Sequence, residues 1–261
     1  MNIPVLTPEL AEAFILVLIR ISAMIMMVPA FGDATVPASV KWGLSILITL
    51  LLFPVVKAGI PPTRDLGFVS LVLGIAGELL IGIILGFSAR IMFAGIQLAG
   101  EMLGFQMGFS AASVIDPTSS VQVSVIAEFQ YLLSLLLFMT VNAHHVFISA
   151  IAESYQAAPP LSVHFSGPLF QALVILSKDI FVIAVKISAP VMAVLLFTNV
   201  AMGLVARTVP QMNIFIVSFP LQIAVGLLFI GIAAPVFVKV IQHLFLSLAG
   251  ETGMLMRLMR I

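Results

Sequence analysis

The 261-residue sequence contains no cysteine, which excludes disulfides, thiolate nucleophiles, cysteine-ligated zinc and iron–sulfur clusters. Charge is scarce as well. Asp, Glu, Lys and Arg make up 8% of the chain, with 11 acidic residues balancing 11 basic ones, where a soluble chain carries about 25% charged residues. With no basic excess there is nothing to neutralise a phosphate backbone, so nucleic acid is excluded as a partner. A GxxxxGK[ST] stretch is missing, and with it the P-loop form of nucleotide site. Strand-like alternation with regular turns is missing too, which argues against a β-barrel. There is no low-complexity tract and no long polar tail, so a separate cytosolic domain is not expected and any energy source would be another protein. The start, Met1-Asn2-Ile3-Pro4 with Glu9 and Glu12, lacks a positive leader segment and reads as the approach to a first mature helix.

What the chain does have is apolar sequence. Hydrophobic residues make up 62% and the mean hydropathy is +1.26, more apolar surface than a water-soluble fold of this size can hide. Long apolar runs predict helices near 8–30, 39–56, 67–98, 123–148, 170–206 and 213–247, split by breaks such as Pro29 to Pro37, Pro54 to Asp65, Gly108 to Val121 and Ala157 to Pro168. A bilayer core of about 30 Å takes about 20 helical residues. Most of the runs reach that length, and 67–98 and 170–206 exceed it and must tilt, bend or leave the bilayer. The expectation is an all-α, polytopic integral membrane protein. With six spans, Lys57, Arg64, Arg257 and Arg260 fall on one side and Lys41 and Arg207 on the other, which favours both termini in the cytoplasm. Pro190, Pro220 and Pro235 inside apolar stretches predict bent helices wrapped around partners.

Several residues break the apolar pattern. Arg20, Glu78, Arg90, Glu101, Glu128, Lys178, Asp179, Lys186 and Arg207 lie in or beside apolar helices, where a lone charge is expensive. They are scattered and of both signs, which fits ion pairs or hydrogen bonds at subunit contacts better than a proton relay of repeated carboxylates. Gly82 with Gly86, and Gly100 with Gly104 and Gly108, make GxxxG spacings that place a bare helix face against another backbone. Gly108 joins that face only if the helix extends to it. Around it the chain reads Gln106-Met107-Gly108-Phe109-Ser110-Ala111-Ala112-Ser113, then Asp116-Pro117. The first group is soft and apolar with small residues, and the second is a turn signal. His145 and Ser149, four apart, could touch on a helix, but no orienting acid or oxyanion motif accompanies them. Adjacent His144 and His145 are expected on different helix faces. No catalytic, cofactor or metal site is expected.

Taken in order, these features resemble the FliR family of flagellar type III export-gate proteins. The marks are Arg20, Pro29-Ala30-Phe31-Gly32, Val36-Pro37, Gly77-Glu78, Gly82 to Phe87, Gly100-Glu101, Gln106, Gly108 and Asp116-Pro117. They continue through Asn142, His145, Ser154, Ala189-Pro190, Gly203, Arg207, Pro210-Gln211, Asn213, Phe215 and Pro220. The resemblance covers essentially the whole chain. It implies a subunit with long, bent helical hairpins, packed with FliP-like and FliQ-like subunits into a multi-subunit gate whose entrance an FlhB-like subunit wraps. It implies a FliP-like part over 1–169 and a FliQ-like hairpin over 170–261, no enzyme activity, and membrane lipid around the assembly. Unfolded flagellar proteins would be the cargo, the proton gradient and a separate ATPase the energy source, and the bacterial inner membrane at the flagellar basal body the location. It also implies a channel plug over about Gln106 to Gln122. Virulence-type secretion homologues share this architecture. An ion-coupled transporter would instead predict an internal inverted repeat, and none is visible.

Overall fold

In lipid every backbone polar group must be satisfied within the segment, so an apolar chain of this composition folds as helix. The computed structural model describes residues 8–57, 68–109, 124–160, 167–209, 211 and 213–259. Among these the elements are α1 (Pro8–Met27), α2 (Ala38–Val56), α3 (Phe68–Gln106), α4 (Val125–Thr140), α5 (Ala143–Ala157), α6 (Gly167–Thr208) and α7 (Ile214–Met259), with no strand. Five of them, α1, α2, α3, α6 and α7, are long and apolar enough to cross a membrane, and α4 with α5 makes a sixth if the two are taken as one broken span. Hydroxyls inside these helices turn back onto the preceding turn: Ser45 to Lys41 O, Thr49 to Ser45 O, Ser188 to Ala184 O and Thr198 to Val194 O. That is how a small polar group is tolerated in hydrocarbon.

The observed elements differ from the sequence expectation in three places. The run expected as one helix over 123–148 is broken, because Asn142 adopts a left-handed conformation with φ 58°, a state Asn reaches more easily than most residues. The third helix runs on to Gln106. The last helix continues past 247 to Met259, because Leu248, Thr252, Leu255 and Met259 recur at helical spacing and are all buried. The prolines do not end their helices: α6 continues through Pro190, and α7 through Pro220 and Pro235.

The chain forms two compact units, neither of them a continuous stretch. Unit 1 comprises Met1–Ile91, Asn142–Ser177 and Leu246–Ile261. In it α1 packs on α2, with Phe14 and Phe53 edge to face at 5.5 Å, while Leu47, Leu51 and Val55 on α2 stay exposed. The turn after α1 is held by Gly32 N–H to Val28 O (2.9 Å) and by Lys41 Nζ to Gly32 O (3.0 Å). A methyl at Gly32 would run into Met26 O. Unit 2 comprises Met92–Val141 and Lys178–Phe245. Its interior holds Phe93 against Tyr131, Phe138 and Phe245, with ring centroids 5.5–5.6 Å away, and Leu103, Met107, Ile126, Val191 and Leu195 in a buried cluster.

Candidate functional site

Glu78, Gly82 and Gly86 follow one another at four-residue steps, so they share one face of α3. The two glycines leave no room for a side chain. A methyl at Gly82 would strike Arg20 O and stand 2.7 Å from Ala23 Cβ, and one at Gly86 would stand 2.5 Å from Met27 Cβ. Backbone therefore lies directly against α1, and one turn earlier this contact brings Glu78 to Arg20. Both side chains are 0% exposed. Arg20 Nε donates to Glu78 Oε2 at 2.6 Å and Nη2 to Oε1 at 3.0 Å. Nη1 donates to Ser154 Oγ and Nη2 also to Ala158 O, each at 3.0 Å. The guanidinium lies 4.1 Å from the centre of the Tyr155 ring, whose hydroxyl donates to Val17 O. Ser154 Oγ passes its own proton to Ile151 O at 2.7 Å. A buried charge pair is stable only when its remaining donors and acceptors are met, and the planar fork of Arg suits that arrangement better than Lys would. The result is a fully engaged polar knot tying α1, α3 and α5.

In unit 2 the second glycine pair seats the start of α4. A methyl at Gly100 would strike Ala127 Cα, and one at Gly104 would strike Ser124 Oγ. Ser124 is the N-cap of α4: its Oγ accepts from Ala127 N–H and donates to Gly100 O, each at 3.4 Å. Just beyond, Gly108 has φ 87°. Phe109 N–H reaches Gly104 O and Gly108 N–H reaches Phe105 O, both at 3.1 Å. This pair of bonds is the Schellman close of a helix, which requires a left-handed residue. Met107 is wholly buried and fills the space where Gly226 of α7 lacks a side chain.

Among the described residues no three His, Asp or Glu are placed to hold a metal ion. The profile of the family "Bacterial export proteins, family 1" matches residues 11–248. The flagellar biosynthetic protein FliR of Bacillus subtilis (strain 168) is 38% identical over 247 residues, covering 94% of each chain. FliR of Escherichia coli (strain K12) is 35% identical over 228 residues, 87% of this chain and 86% of that one. FliR of Aquifex aeolicus (strain VF5) is 24% identical over 241 residues, 90% and 92% of the two chains. The chain belongs to the FliR family of bacterial export proteins. In this FliR-family chain Arg20, Glu78 and Ser154, which carry the resemblance in three separate blocks, meet in one hydrogen-bonded cluster.

The other residues singled out from the FliR-family sequence are placed as follows. Arg90, Glu101 and Arg207 are exposed on this chain rather than buried in it. Arg90 and Glu101 are eleven residues apart on α3, about three turns, on the side that also carries exposed Phe105. Glu128, Lys178 and Lys186 are exposed as well, and Asp179 is half-buried. Gly108 is not part of the glycine face, because α3 has ended and its φ makes it the helix stop. Gln106 and Phe109 are half-buried, and Phe109 packs against the cluster that contains Met107. Ser110, Ala111, Ala112, Ser113, Asp116 and Pro117 lie outside the described residues. Ser149 does not engage the ring of His145: its hydroxyl donates to His145 O at 2.8 Å and to Val146 O. The His144 and His145 rings lie 4.3 Å apart rather than on separate faces, because a step of about 100° still lets two rings at a helix start lean together. The sequence reading missed the contact between Gly82 and Arg20 O, although the Glu78, Gly82, Gly86 spacing was a visible sign of it.

Proposed function

We propose that this chain is a subunit of the flagellar type III protein export gate, contributing helices to the channel through which unfolded flagellar proteins leave the cell. The observation that carries the reading is the 38% identity to a flagellar FliR along 94% of both chains. The relatives named above all bear the flagellar name, and nothing favours the virulence-secretion branch. The chain is a multi-pass membrane protein by the length and composition of its helices, and we place it in the bacterial inner membrane at the flagellar basal body. Its role is structural rather than catalytic. The FliP-like, FliQ-like and FlhB-like subunits are its proposed partners. The exposed charges Arg90, Glu101 and Arg207 on otherwise apolar helices support buried contacts with them, since a charge facing lipid alone is expensive. The plug role that the resemblance assigns to Gln106–Gln122 remains part of this proposal.

The test is deletion of the gene in its own host, followed by plasmid-borne return. Loss of secreted flagellar proteins and of swimming, both restored by the plasmid, is the expected result. A deletion strain that still secretes flagellar proteins overturns the assignment.

A further inference from the structure

Unit 2 carries a partly open groove of about 450 Å³ whose walls are almost wholly apolar, among them Phe129, Leu133, Ile187, Leu227 and Phe237. One polar side chain enters the lining, Gln130 of α4. Gln130 is 4% exposed, and its buried Oε1 has no hydrogen-bond partner among the described residues. An amide oxygen without a donor in an apolar setting is a standing penalty, so the identity of the occupant turns on who supplies the donor. Water needs two to four polar partners in such a site, and the walls offer little beyond this amide. A lipid acyl chain suits the walls but carries no donor. A membrane helix bearing Ser, Thr, Asn or Gln among apolar residues meets both demands.

A second observation points the same way. Gly231 of α7 lines this groove, and nothing lies within 4 Å of where its side chain would be. The glycines at 95, 100, 104 and 226 are each filled by other atoms of unit 2. Gly203 and Gly231 are left open by the described residues, and of the two only Gly231 lines the groove; an open glycine on a membrane helix admits a second backbone at close range.

We propose that this groove receives a transmembrane helix of another export-gate subunit, with a hydroxyl or carboxamide side chain of that helix hydrogen-bonded to Gln130. The proposal rests on the gate-subunit reading above. A carboxamide would serve Gln130 twice, donating to its Oε1 and accepting from its Nε2.

The test uses the full chain in its native gate assembly, with a benzophenone-bearing phenylalanine in place of Phe237 and irradiation in membranes. The expected adduct is with an apolar helix of a different gate subunit, within one turn of a Ser, Thr, Asn or Gln. Gln130→Leu keeps the side chain's length and removes the amide, and it should lower the assembled fraction about threefold to tenfold. Gly231→Leu should abolish assembly. Neither change should lower the thermal stability of the chain expressed alone, because Oε1 has no partner to lose and Gly231 faces open space. Adducts only with phospholipid, with a second copy of this chain or with the chain itself overturn the groove proposal while leaving the gate reading intact. Normal assembly of both variants does the same. A wild-type chain that joins no gate complex overturns the gate reading, and the groove proposal with it.

Discussion

Arg20 and Glu78 stand 58 residues apart in the chain and meet side on, with two hydrogen bonds of 2.6 Å and 3.0 Å between a guanidinium and a carboxylate that are both sealed from solvent. The pair depends on Gly82, since only a bare backbone on α3 lets α1 come close enough. Close packing and charge neutralisation are thus one feature of the fold, and a change to either should be felt by the other.

Removing one member of the pair should be worse than removing both. Glu78→Leu leaves a buried guanidinium without its counter-charge, and loss of one partner of a buried pair typically costs about 3–5 kcal/mol. Arg20→Leu together with Glu78→Leu leaves no buried charge, and such replacements are often near neutral. Thermal unfolding of the purified chain in detergent should show the double variant well above the Glu78→Leu single. A double variant as unstable as the single would mean that the pair is not the source of the penalty.

Alanine at different glycines should give opposite results. At Gly82 the added methyl meets backbone, Arg20 O, which cannot rotate away, and overpacking of that kind typically costs about 1–3 kcal/mol. At Gly226 it meets Cγ, Sδ and Cε of Met107, an unbranched side chain that can shift where a backbone oxygen cannot. At Gly43, inside α2, it meets nothing within 4 Å, and Gly→Ala in a helix interior is favourable by about 0.5–1 kcal/mol. Melting temperatures should therefore rank Gly43→Ala above Gly226→Ala above Gly82→Ala. Any other order counts against the assigned contacts.

Much of this architecture was legible in the sequence because a membrane helix announces itself through sustained hydropathy. The starts at Pro8, Ala38 and Phe68 fall within one residue of the expected ones. What hydropathy does not carry is backbone conformation at a single residue. Asn142 sits inside an apolar run and breaks it only through its φ of 58°. Gly250, Glu251 and Gly253 lie past the helix end at 247 that hydropathy predicts, but the buried face formed by Leu248, Thr252 and Leu255 holds that segment in the helix. Arg20 and Glu78 were visible as anomalies, yet nothing along the chain says which charge finds which. That Arg90 and Glu101 stay exposed is likewise a property of the side of α3 they share, about three turns apart, too far to pair with each other.

Gly108→Ala should weaken the end of α3. An L-residue held at φ 87° is strained, by roughly 1–2 kcal/mol for the left-handed region, and the new methyl would stand 2.5 Å from the ring of Phe219. Adding Phe219→Ala removes the ring contact but not the backbone strain. It opens a space of its own, so the double variant should not return to wild-type stability. Full recovery in the double variant would mean that the ring contact, not the positive φ, demands glycine here.

The contact between Gly104 and Ser124 allows a test that separates packing from capping. Gly104→Ala alone places a methyl on Ser124 Oγ, at the residue that caps α4. Ser124→Gly alone removes that side chain, and glycine replaces a capping serine at a loss of only a few tenths of a kcal/mol. In the double variant the alanine methyl has no side chain to meet. Its stability should fall close to that of Ser124→Gly, with a coupling of roughly 1 kcal/mol, inside the range of about 0.5–3 kcal/mol seen for residues in contact. Ser124→Ala is the control. It retains a Cβ that would stand 3.0 Å from the new methyl and it loses the cap, so it should rescue Gly104→Ala less well than glycine does. Thermal unfolding of the five variants decides the matter. Strictly additive effects would mean that Gly104 is tolerated for some reason other than its contact with the start of α4.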